Sequence, residues 1–115
     1  DARPDDIDGI RRAFASGMTP DAIVCGNDEE AAVLMPTLVA LGKRIPDDVA
    51  VVGFDDVLCA QLCIPNLTTI HQPVELIAEA ALGFLVSRIA DAATPAREVT
   101  IDSPLIRRGS TEKVV

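Results

Sequence analysis

Two adjacent carboxylates, Asp55 and Asp56, are the residues of this chain whose type and placement best suit chemistry. Paired carboxylates serve in general acid–base catalysis when their pKa values are separated and a partner group orients them. The only histidine is His71 and no nucleophile motif lies near the pair, so we predict no catalytic residue. A carboxylate here instead suits ligand binding, because it accepts hydrogen bonds from two neighbouring donors of a small molecule in bidentate fashion.

A predicted strand over residues 49–56 places this pair at the edge of a sheet. The run is apolar and bounded by turn signals, which is typical of a strand buried on both faces of a parallel sheet. Ligands in open α/β sheets gather beyond the carboxyl ends of such strands. We therefore expect a bound small molecule close to Asp55 and Asp56.

The other segments alternate between strand and helix patterns. Residues 22–25 form a short apolar run, after which Asn27 or Asp28 suits the N-cap of a helix, with Asp28 otherwise a solvated charge. Residues 67–71 predict a further strand, and residues 72–73 begin a helix that has an apolar face. The remaining expected elements are a helix over 5–17, an irregular stretch over 57–66 and closing strands over 98–102 and 105–108, with Arg107 and Arg108 at an exposed strand end.

The helix expected from Asp28 to about Leu41 is apolar on all sides from Ala31 onwards. Such a helix must be covered on all sides, so in a domain this small one face is expected to meet another subunit. Pro36 lies inside it and lacks a backbone donor, so we predict a kink or an interruption there.

Bulk composition excludes several classes of function. A net charge of −8 repels phosphate backbones, and the absence of Trp and Tyr argues against base stacking, so this segment is not expected to bind nucleic acid itself. No apolar stretch reaches the roughly 18 residues of a membrane span. The three cysteines lack zinc or thioredoxin spacing and predict buried thiols in a reducing cytoplasm. We predict no metal site and no cofactor.

Several motifs follow one another in an order that resembles a known family. They are Pro-Asp-Ala-Ile at 20–23, Asn-Asp at 27–28, Ile-Pro-Asp-Asp-Val at 45–49, Val-Val-Gly-Phe-Asp-Asp at 51–56, Pro-Asn-Leu-Thr-Thr-Ile-His-Gln-Pro at 65–73 and Leu-Ile-Arg-Arg-Gly-Ser-Thr at 105–111. The series resembles the effector-binding domain of the lactose-repressor/galactose-repressor family of bacterial transcription regulators. The resemblance covers essentially the whole chain.

The resemblance implies an α/β fold with an incomplete doubly wound, mainly parallel sheet and flanking helices. This is the C-terminal subdomain of a type I periplasmic-binding-protein-like fold. Residues 1–71 would form that effector-binding subdomain without its first strands, residues 72–96 a crossover helix belonging to the other subdomain, and residues 97–115 the returning strands and tail. The chain resembles a piece of a longer protein, because the family's DNA-binding head and hinge helix have no counterpart here.

The resemblance also implies roles for individual residues. Asp55 looks like the family's effector-binding aspartate, Asn27 like a polar contact, Val24 like a wall of the pocket and Gln72 like a contact or hinge position. For Asn27, helix capping and ligand contact both stay open. The expected dimer interface consists of Leu34, Leu38, Leu62, Cys63 and Ile64.

The function implied is effector sensing and dimerisation in a cytoplasmic transcription regulator that is not an enzyme. A small molecule, sugar or nucleoside-like, would shift DNA affinity, with operator DNA bound only through the absent N-terminal domain and no membrane involved. We expect a homodimer that binds its effector weakly in isolation, because the missing subdomain supplies one wall of the site. A periplasmic sugar-binding receptor of the same fold and a doubly wound α/β enzyme remain as alternatives.

Overall fold

The structure is a computed structural model that describes residues 4–113, with side chains from residue 7 onwards. It contains two compact units. The first extends to His71 and resumes at Leu105, and the second is Gln72–Pro104. The two differ in how they bury apolar side chains, since the first has a closed core and the helix of the second has no buried residue.

An assembly of two two-stranded sheets forms the centre of the first unit. Its strands are β1 (Ala22–Val24), β2 (Ala50–Val52), β3 (Thr69–Ile70) and β4 (Leu105–Ile106). β1 pairs in parallel with β2, and β3 pairs antiparallel with β4. Parallel bridges from Val52 to Thr68 and from Asp55 to His71 join β2 to the segment of β3. The arrangement agrees with the predicted α/β class.

Three helices belong to the first unit: α1 (Pro4–Ala15), α2 (Asp28–Ala40) and α3 (Leu58–Leu62). α2 contacts α1, β2 and α3, so it is the element on which the others pack. It begins with Asn27 as N-cap, whose Oδ1 accepts a hydrogen bond from the backbone N–H of Glu30 at 2.8 Å. This bond satisfies one of the donors that the first turn of a helix leaves unpaired.

One face of α2 supplies half of the buried apolar core. The core residues are Ala31, Leu34, Met35 and Leu38 from α2, with Val49, Val51, Ala60 and Leu67 from the neighbouring segments. α2 is continuous through Pro36, so the predicted interruption does not occur. Pro36 is exposed, while Leu34 and Leu38 on either side of it are buried and hold this turn of the helix against the core.

Three expectations about the elements need correction. β2 is shorter than the predicted strand over 49–56, because its ladder with β1 ends where Val52 pairs with Val24. The stretch over 57–66, expected to be irregular, contains α3. Residues 98–102 form no strand, because a strand requires a backbone partner and none of residues 4–113 pairs with this segment.

The second unit consists of α4 (Val74–Ala90) and the segment that follows it. No residue of α4 is buried, although its sequence is strongly apolar; Leu82, for example, is 62% exposed. The guanidinium of Arg97 lies 4.6 Å from the centre of the Phe84 ring, within range of a cation–π interaction. Among the residues that the structure describes, no helix combines the length and the apolar character needed to cross a membrane.

Candidate functional site

The carboxyl end of β2 leads into a turn with two consecutive non-glycine residues at positive φ. Asp55 has a φ of +110° and Asp56 a φ of +60°. The value at Asp55 lies outside the left-handed helical region, and a conformation of this kind costs on the order of 1–3 kcal/mol. Strained residues persist where their surroundings determine the backbone, and they cluster at ligand sites. The turn is therefore the candidate site.

Gly53 brings this turn close to the start of α2. A Cβ at position 53 would overlap a carboxylate oxygen of Asp28 and would lie 2.8 Å from Cδ2 of Leu67. It would also lie 3.2 Å from Cα of Asp28, which is backbone and does not move aside. Only glycine permits this approach.

The carboxylate of Asp28 holds the turn from the side of α2. It is 0% exposed, and its Oδ2 accepts a hydrogen bond from the backbone N–H of Val57 at 2.9 Å while its Oδ1 accepts one from the Thr69 hydroxyl. The backbone N–H of Asp28 donates to the carbonyl of Phe54 at 3.0 Å. The expectation that Asp28 is a cap or a solvated charge is corrected: it is a buried carboxylate compensated by hydrogen-bond donors and by the N-terminus of α2.

Arg108 and His71 hold the carboxylate of Asp56. Its Oδ1 accepts a hydrogen bond from Nη2 of Arg108 at 2.7 Å, and its Oδ2 lies 2.9 Å from Nδ1 of His71. The side chains of Asp56 and Arg108 are 12% and 17% exposed. Burial raises the pKa of Asp56, but the hydrogen bonds from Arg108 and His71 outweigh it and leave this pKa below its usual range. The expectation that Arg108 lies at an exposed strand end is therefore corrected, since its side chain is largely buried against Asp56. His71 is hydrogen-bonded to the same carboxylate.

The tail after β4 ties β2 to β3. Ser110 is 0% exposed; its hydroxyl donates to the carbonyl of Val51 at 2.6 Å and accepts from the backbone N–H of Thr68 at 2.8 Å. Nη1 of Arg108 donates to the carbonyl of Leu67 at 3.0 Å. Sequence reasoning missed these roles. The available signal was the cluster of hydrogen-bonding residues at 107–111 directly after an apolar strand.

Three of the four predicted ligand residues lie at the carboxyl ends of the two paired strands. Val24 ends β1 and is 78% exposed, Asn27 follows it, and Asp55 follows β2 and is partly exposed. The backbone N–H of Asp55 donates to the carbonyl of Ile70 at 2.9 Å. Gln72 is the first residue of the second unit. Capping is now observed for Asn27, and ligand contact stays a prediction.

A groove of about 490 Å³ lies between α2 and the segment of α3. It is lined by Ala32, Met35, Pro36, Val39, Cys59, Leu62, Cys63 and Ile64. Three of the predicted interface residues, Leu62, Cys63 and Ile64, line it, and Ile64 is 91% exposed. Leu34 and Leu38 do not: they are 4% and 0% exposed in the core of the chain itself, so the predicted interface is corrected at both positions.

The cysteines are free and partly buried. Burial, followed by the charge of Glu30, raises the pKa of Cys25 to about 11, and burial likewise raises the pKa of Cys59 and of Cys63. Thiols with raised pKa stay protonated and are poor nucleophiles. Among the side chains of residues 7–113, no three from His, Cys, Asp or Glu converge as metal binding would require. What the carboxyl ends of β1 and β2 offer is the amide of Asn27 and the carboxylate of Asp55.

Comparisons with known proteins agree with this geometry. Residues 1–111 match the family described as periplasmic binding protein-like domain. The ribose operon repressor of Escherichia coli is 33% identical over 104 residues, which cover 90% of this chain and 32% of the repressor. A LacI-type transcription regulator from Bifidobacterium animalis subsp. lactis has a TM-score of 0.81 at 38% identity, covering 90% of this chain and 37% of that one.

A further solved structure, a LacI family transcriptional regulator from Enterococcus faecalis with bound ribose, has a TM-score of 0.79 at 33% identity. The match covers 91% of this chain and 39% of that one. The chain spans about a third of the length of the curated repressor it matches. Because the family match runs over nearly the whole sequence, the chain belongs to the periplasmic binding protein-like domain family.

Proposed function

We propose that this chain is the effector-sensing and dimerisation part of a bacterial DNA-binding transcription regulator, and that its effector is a small polar molecule, a sugar or a nucleoside-like compound. The observation that carries the proposal is the strained turn at Asp55, which sits at the carboxyl end of a parallel strand. The repressors among the relatives support it over a periplasmic receptor.

In this proposal Asp55 accepts hydrogen bonds from hydroxyl or N–H groups of the effector. Val24 forms an apolar wall beside it, and Asn27 contributes through the amide atoms that capping leaves available, since its Oδ1 already accepts from Glu30. Gln72, which follows the first unit directly in the chain, is a further contact or hinge position. Because the residues bind and do not transform the ligand, the module is not an enzyme.

The regulator works by population shift. An effector that binds one arrangement of the complete cytoplasmic protein more tightly than another moves the equilibrium between DNA-competent and DNA-incompetent states by its differential affinity. Operator DNA is contacted by a separate N-terminal domain, because a chain with a net charge of −8 repels phosphate. The complete regulator is the natural gene product that contains this sequence.

Replacing Asp55 with asparagine tests the site. The charged acceptor is lost while the shape is kept. The affinity of the complete regulator for D-ribose, chosen because ribose is bound in the Enterococcus faecalis relative, should therefore fall by about 10- to 100-fold, the equivalent of one charge-assisted hydrogen bond. Asp47→Asn is the matched control, since Asp47 is an exposed aspartate in the connection ahead of β2. Isothermal titration gives both affinities, and equal affinities in the two variants would contradict the role of Asp55.

The groove between α2 and α3 is the proposed homodimer contact. Ile64→Asp places a charge on a side chain that is 91% exposed and lines the groove, and should convert the dimer to monomer in sedimentation analysis. Met18→Asp, at an exposed apolar residue of the first unit outside the groove, should leave the dimer intact. If the two variants dimerise with equal affinity, the interface lies elsewhere.

A further inference from the structure

We propose that Arg108, Asp56 and His71 are positioning residues that form a clamp, and that this clamp holds the strained backbone at Asp55 so that its carboxylate points at the effector. The direction toward an effector rests on the proposed function of Asp55. The clamp itself depends on no ligand.

The clamp uses both oxygens of one carboxylate. Arg108 donates to Oδ1 of Asp56 at 2.7 Å, and His71 approaches Oδ2 at 2.9 Å. The two partners come from different parts of the chain, because His71 follows β3 and Arg108 follows β4. With both oxygens bonded to separate segments, the side chain of Asp56 cannot swing without breaking at least one of these bonds.

Arg108 is itself bonded to the two residues that precede β3. Its Nη1 donates to the carbonyl of Leu67 at 3.0 Å, and its backbone N–H donates to Oγ1 of Thr68 at 2.8 Å. The guanidinium therefore has a defined place before it meets Asp56. An arginine fork held in this way loses little freedom when it forms one more hydrogen bond.

The clamp acts on Asp55 through the peptide bond that joins it to Asp56. The N–H of Asp55 is bonded to the carbonyl of Ile70 at 2.9 Å, which fixes the other side of the residue. Relaxation of φ at Asp55 from +110° toward negative values would move the Asp56 carboxylate away from both partners. The strain at Asp55 is thus balanced by the bonds of its neighbour.

Burial makes the clamp sensitive to the loss of one member. Asp56 and Arg108 are 12% and 17% exposed, so water and salt screen their attraction weakly. Without Arg108 the carboxylate would be left buried beside a single histidine, which is unfavourable. Movement of the Asp56 side chain into solvent would remove the cost of this uncompensated charge, and the turn would then lose its strained conformation.

Hydrogen exchange of the ligand-free complete regulator tests the clamp. Arg108→Met should accelerate exchange of the peptide covering residues 53–57 by about tenfold, with α2 unchanged, because the opening is local. Arg107→Met is the matched control: Arg107 is 73% exposed, pairs with Glu112 at 3.5 Å and should leave exchange unchanged. The proposal is overturned if residues 53–57 of Arg108→Met exchange at the wild-type rate. It is also overturned if exchange accelerates equally throughout the protein.

Asp56→Asn provides a second variant that keeps the size of the side chain. It should accelerate the same peptide less than Arg108→Met, because the Oδ1 of the asparagine can still accept a hydrogen bond from Arg108. The double variant should exchange no faster than Arg108→Met alone, since both changes break one contact. Additive acceleration would mean that the two residues act separately and would overturn the clamp.

D-ribose titration separates the failure of the clamp from the failure of the proposed function. Asp55→Asn removes the carboxylate and leaves the clamp, so its exchange should be normal and its D-ribose affinity low. Arg108→Met should bind D-ribose about tenfold more weakly, as expected if a misdirected Asp55 loses one good hydrogen bond. Unchanged D-ribose affinity in Asp55→Asn would refute the effector role, while the exchange data would still decide the clamp.

Discussion

Replacement of Asp28 by alanine tests whether one buried carboxylate fixes the place where β2 turns. The change deletes the acceptors of the Val57 N–H at 2.9 Å and of the Thr69 hydroxyl, in a position that is 0% exposed. A hydrogen bond to a charged group contributes about 1.5–3 kcal/mol, and the Val57 N–H cannot turn to another acceptor. We expect a loss of about 3–5 kcal/mol in the free energy of unfolding, a large part of the stability of an ordinary domain.

Asp28→Asn separates the hydrogen bonds from the charge. The amide oxygen accepts from Val57, and the amide NH₂ donates to Thr69, whose hydroxyl reverses its role and accepts. Both bonds therefore survive without the negative charge, which also lies in the first turn of α2. We expect this variant to lose only about 1 kcal/mol, mainly the favourable interaction of a carboxylate with the helix dipole.

Urea unfolding of the complete regulator, followed by circular dichroism at several protein concentrations, measures both changes. Glu29→Ala is the matched control, because Glu29 is the exposed neighbour of Asp28 in the same first turn. It should lose no more than about 0.5 kcal/mol. The reasoning is refuted if Asp28→Ala lies within error of Glu29→Ala. Equal losses in the alanine and asparagine variants of Asp28 would assign the effect to the charge and not to the two hydrogen bonds.

Three further predictions concern Gly53, Asp56 and Cys25. Gly53→Ala should lower the free energy of unfolding by about 2–3 kcal/mol, because the new Cβ meets the backbone of Asp28. Gly83→Ala, whose Cβ would have nothing within 4 Å, should raise it by up to about 1 kcal/mol through helix propensity. Thermal unfolding measures both changes. The pKa of Asp56 is lowered on folding, so its stabilisation is complete above the ordinary pKa of a carboxyl and is lost as pH falls through the folded value. The free energies of unfolding of wild type and Asp56→Asn should therefore approach each other as the pH falls below the ordinary carboxyl pKa of 3.8, and become equal only below the folded pKa. A constant difference would contradict this. The pKa of Cys25, at about 11 against an ordinary 9.0, should make its alkylation about 100-fold slower than that of a free thiol at pH 8, measured by peptide mass spectrometry.

The sequence by itself determined the features that depend on neighbours along the chain. An apolar run ending in Asp55 and Asp56 indicated a buried parallel strand with a polar end, and the order of motifs indicated the family. Asn27 suited an N-cap because its oxygen needs only to reach the N–H three residues on, and the structure has that bond. Such patterns are readable because their partners lie within one helical turn or on one strand.

The tertiary structure decided which charges are buried and which apolar residues are left for a partner. Asp28 meets Val57 across 29 residues, and Asp56 meets Arg108 across 52, so neither pairing leaves a periodic trace in the sequence. The uniformly apolar pattern of α2 did not reveal that Leu34 and Leu38 face the core while Val39 faces the groove. Burial is a property of the packed chain, and it is burial that turns Asp28 and Arg108 from ordinary surface charges into the groups that shape this turn.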